Sequence, residues 1–282
     1  MKSSYKLDEA RETIDIWRGN RESIGFVPTM GALHEGHLSL IERAKRDNKR
    51  IVVSIFVNPL QFNDKNDFDN YPSTLEQDRL LLDEAGVDLL IAPAASEMHP
   101  QPMNFAMSVK SISDVYEGQF RPGHFDGVAT VVAKLLLLVG PSRVYFGEKD
   151  IQQCYVIKRM VEEFHFPNVI EIVETYREAS GLAFSSRNTR LSDASKRIAP
   201  SMYQNLLRAA KEIRDGSDPA TVINVAIEKV AEAAKREAVE FGYDYVELID
   251  QNFKSVAQYS EGLRIVAAWT LDGVRLIDNL SV

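Results

Sequence analysis

The strongest constraint in this chain is the alternation of two hydrophobic periods over its first 175 residues. Short apolar or β-branched runs at 23–28, 50–57, 87–92, 142–146 and 169–175 read as strands. Between them lie stretches whose apolar residues recur every three to four positions. Leu7, Ala10, Ile14 and Trp17 set the first helical period, and further helical patterns cover 36–48, 127–139 and 150–164. Ser73-Thr74-Leu75-Glu76 has capping-box spacing and predicts a helix running from there to near Gly86. Strands separated by helix-length segments are joined by crossovers, which make neighbouring strands parallel. The first domain, 1–175, is therefore expected to be α/β, with a mainly parallel sheet and helices on both faces. Phe105, Met107 and Val109 alternate and predict a small antiparallel insertion. After about Thr175 the pattern changes to two long helical stretches, 192–214 and 219–238. Three strand-like runs follow at 243–249, 263–269 and 274–277. A smaller C-terminal α+β domain, 176–282, is expected.

Charge narrows the partners. The formal net charge is −8, which disfavours a nucleic-acid or anionic-membrane surface but leaves room for a local basic pocket. The single cysteine, Cys154, excludes an internal disulfide, fits a reducing compartment and reads as a buried small residue. Residues 1–20 have no signal-type apolar core. The longest apolar run, 128–139, is interrupted by Lys134 and is too short to span a bilayer. A cytosolic, cytoplasmic location is expected.

Chemistry concentrates in loops that follow strands, where open α/β sheets bind ligands. The first is Pro28-Thr29-Met30-Gly31-Ala32-Leu33-His34-Glu35-Gly36-His37. Gly31 and Gly36 allow a tight turn, and a helix N-terminus offers N–H groups and a dipole to an anion. His34 and His37 sit on that turn, as phosphate donors or as capping and core residues. Gly31 and Gly36 have P-loop spacing, but His37-Leu38 stands where Lys and Ser/Thr belong, so a P-loop is rejected. Two close histidines also suggest a metal; one cysteine and no third ligand nearby in sequence argue against it. The second loop offers Asn58 and Gln61, neutral amides suited to a hydroxyl or carboxylate; an Asn-Pro turn accounts for Asn58 alone. The third, Phe146-Gly147-Glu148-Lys149-Asp150-Ile151-Gln152-Gln153, sets Lys149 to neutralise a phosphate and Asp150 to cap a helix or hold a ribose or metal. A fourth segment at the domain junction, Gly181-Leu182-Ala183-Phe184-Ser185-Ser186-Arg187-Asn188, carries hydroxyls, a guanidinium and an amide suited to polyphosphate.

Six segments together resemble the pantoate–β-alanine ligase (pantothenate synthetase) family: PTMGALHEGH at 28–37, SIFVNPLQF at 54–62, RPGHFDGV at 121–128, FGEKDIQQ at 146–153, GLAFSSRN at 181–188, and VAAW with RLIDN near the C-terminus. The resemblance spans almost the whole chain. It implies a Rossmann-like nucleotidylyl-transferase domain of the His-x-Gly-His class, a smaller C-terminal domain, a homodimer and a need for Mg²⁺. It implies a reaction in which ATP activates (R)-pantoate as pantoyl-adenylate and β-alanine then displaces AMP, in pantothenate and coenzyme A biosynthesis. Carried over by position, Met30, Gly31, His34, Gly36, His37, Gly147, Glu148, Lys149, Asp150, Tyr176, Phe184, Ser185, Ser186 and Arg187 hold ATP. Gln61 and Gln153 hold pantoate, with Asn58 beside them. His37, His34, Lys149 and Arg187 carry catalysis, as positive donors that offset the repulsion between carboxylate and triphosphate. Asp78 and Asp150 are the candidate magnesium ligands, with phosphates and water completing the shell. Three positions depart from the family pattern: Ser73 for an Arg, Ser180 for an Asp, and Phe184 for a Met or Leu. Two other readings remain: a different nucleotidylyltransferase on the same fold, and a catalytically silent nucleotide-binding protein.

Overall fold

The structure, a computed structural model, describes residues 1–63 and 68–282. The chain divides into two compact units, Met1–Glu174 and Thr175–Val282. The first is built on six parallel strands, β1 (Lys2–Ser4), β2 (Ile24–Thr29), β3 (Arg50–Ile55), β4 (Leu89–Ile91), β5 (Arg143–Gly147) and β6 (Val169–Val173), in the order β1-β4-β3-β2-β5-β6. Its longer helices are α1 (Leu7–Gly19), α2 (Glu35–Asp47), α3 (Leu75–Glu84), α4 (His124–Val139) and α5 (Ile151–Glu163).

Strand periodicity sorts the core into two layers. Val27, Ile51, Val53, Ile55, Leu90 and Tyr145 pack with Leu40, Ile41 and Ala44 of α2 and Leu82 of α3. The alternate residues, Phe26, Val52, Leu89, Ile91 and Val144, are also buried, on the side contacted by α1 and α4. Helices thus cover both faces of a parallel sheet. Cys154 is fully buried in α5. Lys134, the break in the apolar run of α4, donates its ammonium to the Met98 carbonyl. Among the described residues no helix is long and apolar enough to cross a membrane.

Two local expectations are corrected. The alternating segment 103–110 forms no strand: the Met107 N–H bonds the Thr130 hydroxyl (2.9 Å) and the Val109 N–H bonds the Asp126 carboxylate (2.6 Å), both on α4. Side chains on a helix satisfy that extended backbone in place of a partner strand. Ser73 does not cap α3. Thr74 is the N-cap residue, and its hydroxyl reaches the Asp78 carboxylate at 3.0 Å instead of the backbone. The edge strand β1 was not anticipated, because Lys2-Ser3-Ser4 has no apolar pattern to read.

The second unit pairs two long helices, α6 (Asp193–Arg214) and α7 (Pro219–Arg236), with an antiparallel sheet of β7 (Phe241–Ile249), β8 (Arg264–Leu271) and β9 (Val274–Ser281). Ser192 caps α6 by accepting the Ser195 N–H (3.0 Å), and Asp218 caps α7 by accepting that of Thr221 (2.9 Å), with Pro219 at the first helical position. Leu206, Ile213, Val230, Ile265 and Trp269 are among the residues of the core between helices and sheet.

Candidate active site

All six strands of the first unit run the same way, so the loops after β2, β3 and β5 open on one edge of the sheet. From β2 the chain winds outward through β3 and β4, then returns to the opposite side of β2 for β5 and β6. The crevice between β2 and β5 is therefore the topological switch point, the place where such sheets bind ligands. The His34–His37 turn follows β2 and Lys149 follows β5, so sequence-distant segments flank that crevice.

The turn after β2 is closed on itself. The Thr29 hydroxyl donates to the Ser54 carbonyl on β3 (2.8 Å) and accepts the Gly31 N–H (3.2 Å). The N–H groups of Ala32 and Leu33 go to the two oxygens of Asp78, each at 2.9 Å. His34 Nδ1 accepts the Gly36 N–H (3.1 Å), and His37 Nδ1 accepts the His34 N–H (3.3 Å). The two imidazoles thereby form a reciprocal cap at the start of α2, with ring centres 4.1 Å apart. This corrects the expectation of open backbone donors at that helix start: they are largely used. A nitrogen that accepts a backbone N–H carries no proton, so in each neutral ring the proton sits on Nε2. Nε2–H is thus the ring donor of each histidine.

Burial also sets their charge in the ligand-free protein. Burial holds His34 down to about 4, with the nearby Lys149 charge adding to it. Burial holds His37 down to about 3, with His34 and Lys149 adding to it. Without a bound anion both imidazoles are neutral at pH 7. Lys149 supplies the positive charge at this edge and pairs with the Asp150 carboxylate at 2.9 Å. Asp150 occupies the N-cap position of α5 but makes no capping bond with its side chain.

The loop after β3 carries a buried amide network. The Asn58 amide nitrogen donates to the Gly127 carbonyl (3.0 Å) and to Gln61 Oε1 (3.1 Å). Its oxygen accepts the Leu60 N–H (3.2 Å) and His99 Nε2–H (3.0 Å). All four positions of Asn58 are filled within the protein and the residue is fully buried, so it supports Gln61 and has no bond left for a substrate. With its oxygen held by Asn58, Gln61 sets its buried NH₂ 2.8 Å from the Met30 sulfur, on the turn after β2. His124 Nδ1–H donates to the Gln61 carbonyl (2.9 Å) and fixes the loop from the α4 side; burial holds this imidazole down to about 4. His99 and His124 were not assigned roles from sequence. Their signal, a polar residue in an otherwise apolar setting, depends on burial and is invisible before folding. On α5, Gln152 is buried and binds the Ile112 and Val115 carbonyls and the Glu117 N–H (2.7, 2.8 and 3.0 Å), while Gln153 is half-exposed.

The remaining candidates lie in the second unit. Ser185 Oγ accepts the Arg187 N–H (3.3 Å), Asn188 donates to the Ala183 carbonyl (3.0 Å), and Ser186 opens a short 3₁₀ turn, Ser186–Arg190. The Tyr176 and Phe184 rings lie 5.3 Å apart. At the departure position 180, the serine hydroxyl accepts the Leu182 N–H (3.3 Å), and Gly181 takes φ +94°, so the turn closes without an Asp. Arg177 anchors the segment through a two-pronged pair with buried Asp278 (2.6 and 2.8 Å) and lies over the Tyr203 ring at 3.6 Å.

Among the described residues no magnesium site is formed by side chains alone. Among the described residues no three His, Cys, Asp or Glu groups gather as ligands. Both Asp78 oxygens are occupied by N–H and O–H donors, and Asp150 is paired with Lys149.

Fold and edge together define an α/β enzyme of the Rossmann-like class, with anion donors and an oriented carboxamide at the switch point. The family model described as pantoate-beta-alanine ligase matches residues 2–281. A pantothenate synthetase of Thermus thermophilus is 47% identical over 264 residues, 93% of this chain and 94% of the relative; one of Aquifex aeolicus is 44% identical over 277 residues, 98% and 97%. A crystal structure of the Thermus thermophilus enzyme superposes with a TM-score of 0.90 at 44% identity, covering 100% of this chain and 99% of that one. A Francisella tularensis pantoate-beta-alanine ligase, complexed with beta-gamma ATP and beta-alanine, superposes at 0.83 with 35% identity, covering 100% and 97%. The chain belongs to the pantoate–β-alanine ligase family.

Proposed function

We propose that this chain joins (R)-pantoate to β-alanine at the expense of ATP, through a pantoyl-adenylate. A pantoate carboxylate oxygen attacks the α-phosphorus and pyrophosphate leaves. The β-alanine amine then attacks the acyl carbon, loses a proton, and AMP leaves. The observation that carries this reading is the pairing of two kinds of donor at the switch point. Two imidazole Nε2–H groups and the Lys149 ammonium suit a triphosphate, and the NH₂ of Gln61, oriented by Asn58 beside Met30, suits a carboxylate.

In this reading Met30, Gly31, His34, Gly36, His37, Gly147, Glu148, Lys149 and Asp150 form the ATP edge of the first unit. Tyr176, Phe184, Ser185, Ser186 and Arg187 supply adenine and phosphate contacts from the second. Lys149 and the imidazole donors stabilise the charge that gathers on pyrophosphate as the α–β bond breaks. Gln61 and Gln153 hold pantoate in line without neutralising its carboxylate. Asn58 serves as the support of Gln61. Magnesium belongs to the proposal as a companion of the triphosphate, held by phosphate oxygens and water. A homodimer is proposed on the family resemblance.

The test is isotope exchange. With ATP, Mg²⁺ and pantoate but no amine, labelled pyrophosphate should enter ATP, and β-alanine should then release AMP and pantothenate in equal amounts. ADP and phosphate as products would replace the adenylate by an acyl phosphate. Exchange without any carboxylate would favour a different nucleotidylyltransferase, and no turnover at all a silent nucleotide-binding protein.

A further inference from the structure

Asp78 lies in the first turns of α3, 2% exposed, far from the turn after β2 in sequence. Its Oδ2 accepts the Ala32 N–H (2.9 Å) and the Thr74 hydroxyl (3.0 Å), and its Oδ1 accepts the Leu33 N–H (2.9 Å). Two successive backbone N–H groups directed at one anion form a nest, the arrangement that elsewhere cradles phosphate. Here the protein fills the nest with its own carboxylate. The turn that presents these N–H groups carries positive φ at Gly31 (+82°) and Ala32 (+50°), while Leu33 does not. Ala32 is strained there, since an L side chain disfavours that region. Three donors on one buried carboxylate over-determine the conformation and hold the strain in place. Packing is tight as well: a Cβ on Gly31 would stand 3.0 Å from Asp78 Oδ2 and 3.1 Å from Ile55 Cγ2.

Met30 precedes this turn and His34 follows it. The direction of the two Nε2–H donors and of the Met30 sulfur against Gln61 is therefore set by how the turn is pinned. We propose that Asp78 is a positioning residue for adenylation: it locks the left-handed Gly31–Ala32 turn, aims Met30, His34 and His37 at the nucleotide, and does not bind magnesium. This deepens the ligase reading and rests on it.

The test uses Asp78→Asn, which keeps one acceptor and turns the other into an NH₂ facing a backbone N–H. Pantoate-dependent pyrophosphate exchange should fall by about 10²-fold, the loss that a displacement of roughly 1 Å at a reacting group brings. ATP affinity should weaken by about tenfold, pantoate affinity by no more than about threefold through the Met30–Gln61 contact, and the Mg²⁺ concentration for half-maximal rate should be unchanged. A general loss of structure would not divide the ligands in this way. Gly31→Ala is the second variant, applicable if Asp78→Asn does not fold. It leaves the carboxylate chemistry intact but displaces the carboxylate from the nest, and should show the same selective loss. The inference is overturned if high Mg²⁺ restores Asp78→Asn with a half-saturation shifted by tenfold or more, or if either folded variant exchanges at the wild-type rate. Absence of pantoate-dependent exchange in the wild-type protein would instead sink the ligase reading itself.

Discussion

Gly127→Ala tests the site through a residue that need touch no ligand. Gly127 lies in the first turns of α4, where the helix presses on the backbone of the loop carrying Gln61. A Cβ there would stand 2.4 Å from the Leu60 oxygen, 2.5 Å from its carbonyl carbon and 2.8 Å from the Gln61 nitrogen. All three neighbours are backbone, so no flexible side chain can yield. Restoring an ordinary contact of at least 3.4 Å to the Leu60 oxygen moves helix and loop apart by about 1 Å. The same shift strains the bond from Asn58 to the Gly127 carbonyl, now 3.0 Å, and with it the bond that orients Gln61. Overpacking of this kind costs about 1–3 kcal/mol of stability. Misplacing Gln61 by that distance should lower kcat/KM for pantoate by about 10²-fold, equivalent to about 2.7 kcal/mol. Pyrophosphate exchange at varied pantoate and varied ATP, with a urea melt alongside, separates the two effects. The KM for ATP should change little. If the variant were as efficient with pantoate as wild type, the argument that Asn58 and Gly127 position Gln61 would be refuted.

Lys149→Ala should slow adenylate formation by about 10²–10³-fold, as loss of one charge donor to a transition state does, with an unfolding midpoint near that of wild type; single-turnover adenylation at the wild-type rate would remove Lys149 from the mechanism. Stability should fall with acid. His34, His37 and His124 are held at about 4, 3 and 4 in the fold against an ordinary 6.5, so the unfolded chain binds more protons below pH 6.5; their contribution is complete above that pH and is lost as pH drops toward 3–4. Urea midpoints from pH 7.5 to 4.5 check this, and replacing His124 with Gln should flatten the slope. Asp278→Ala should destabilise the second unit by about 3–5 kcal/mol, because the Arg177 guanidinium loses both prongs of its pair in a largely buried setting; a change under about 1 kcal/mol in denaturant unfolding would show that solvent reaches Arg177 readily.

The sequence by itself determined the α/β class, the parallel sheet and the segments that carry chemistry. Period-2 runs spaced by helix-length stretches leave few other ways to bury the apolar faces, and a strand-to-helix turn rich in glycine and histidine is local chemistry. Quoted together, the six motifs also pointed to the family. What only tertiary structure decided is how each polar group spends its hydrogen bonds. Asn58 and Asp78 carry side chains able to serve a substrate or a metal, and sequence alone leaves those uses open. In the fold every acceptor and donor of Asn58 is consumed by Gln61, Gly127, Leu60 and His99, and both oxygens of Asp78 are engaged by Ala32, Leu33 and Thr74. The charge of His34 and His37 was equally out of reach, because the burial that neutralises them comes from residues distant in the chain. The extended segment at 103–110 shows the same limit in the backbone. Its alternation predicts a strand, but whether a strand or a helix answers its N–H groups depends on what the fold places beside it, and here that neighbour is α4.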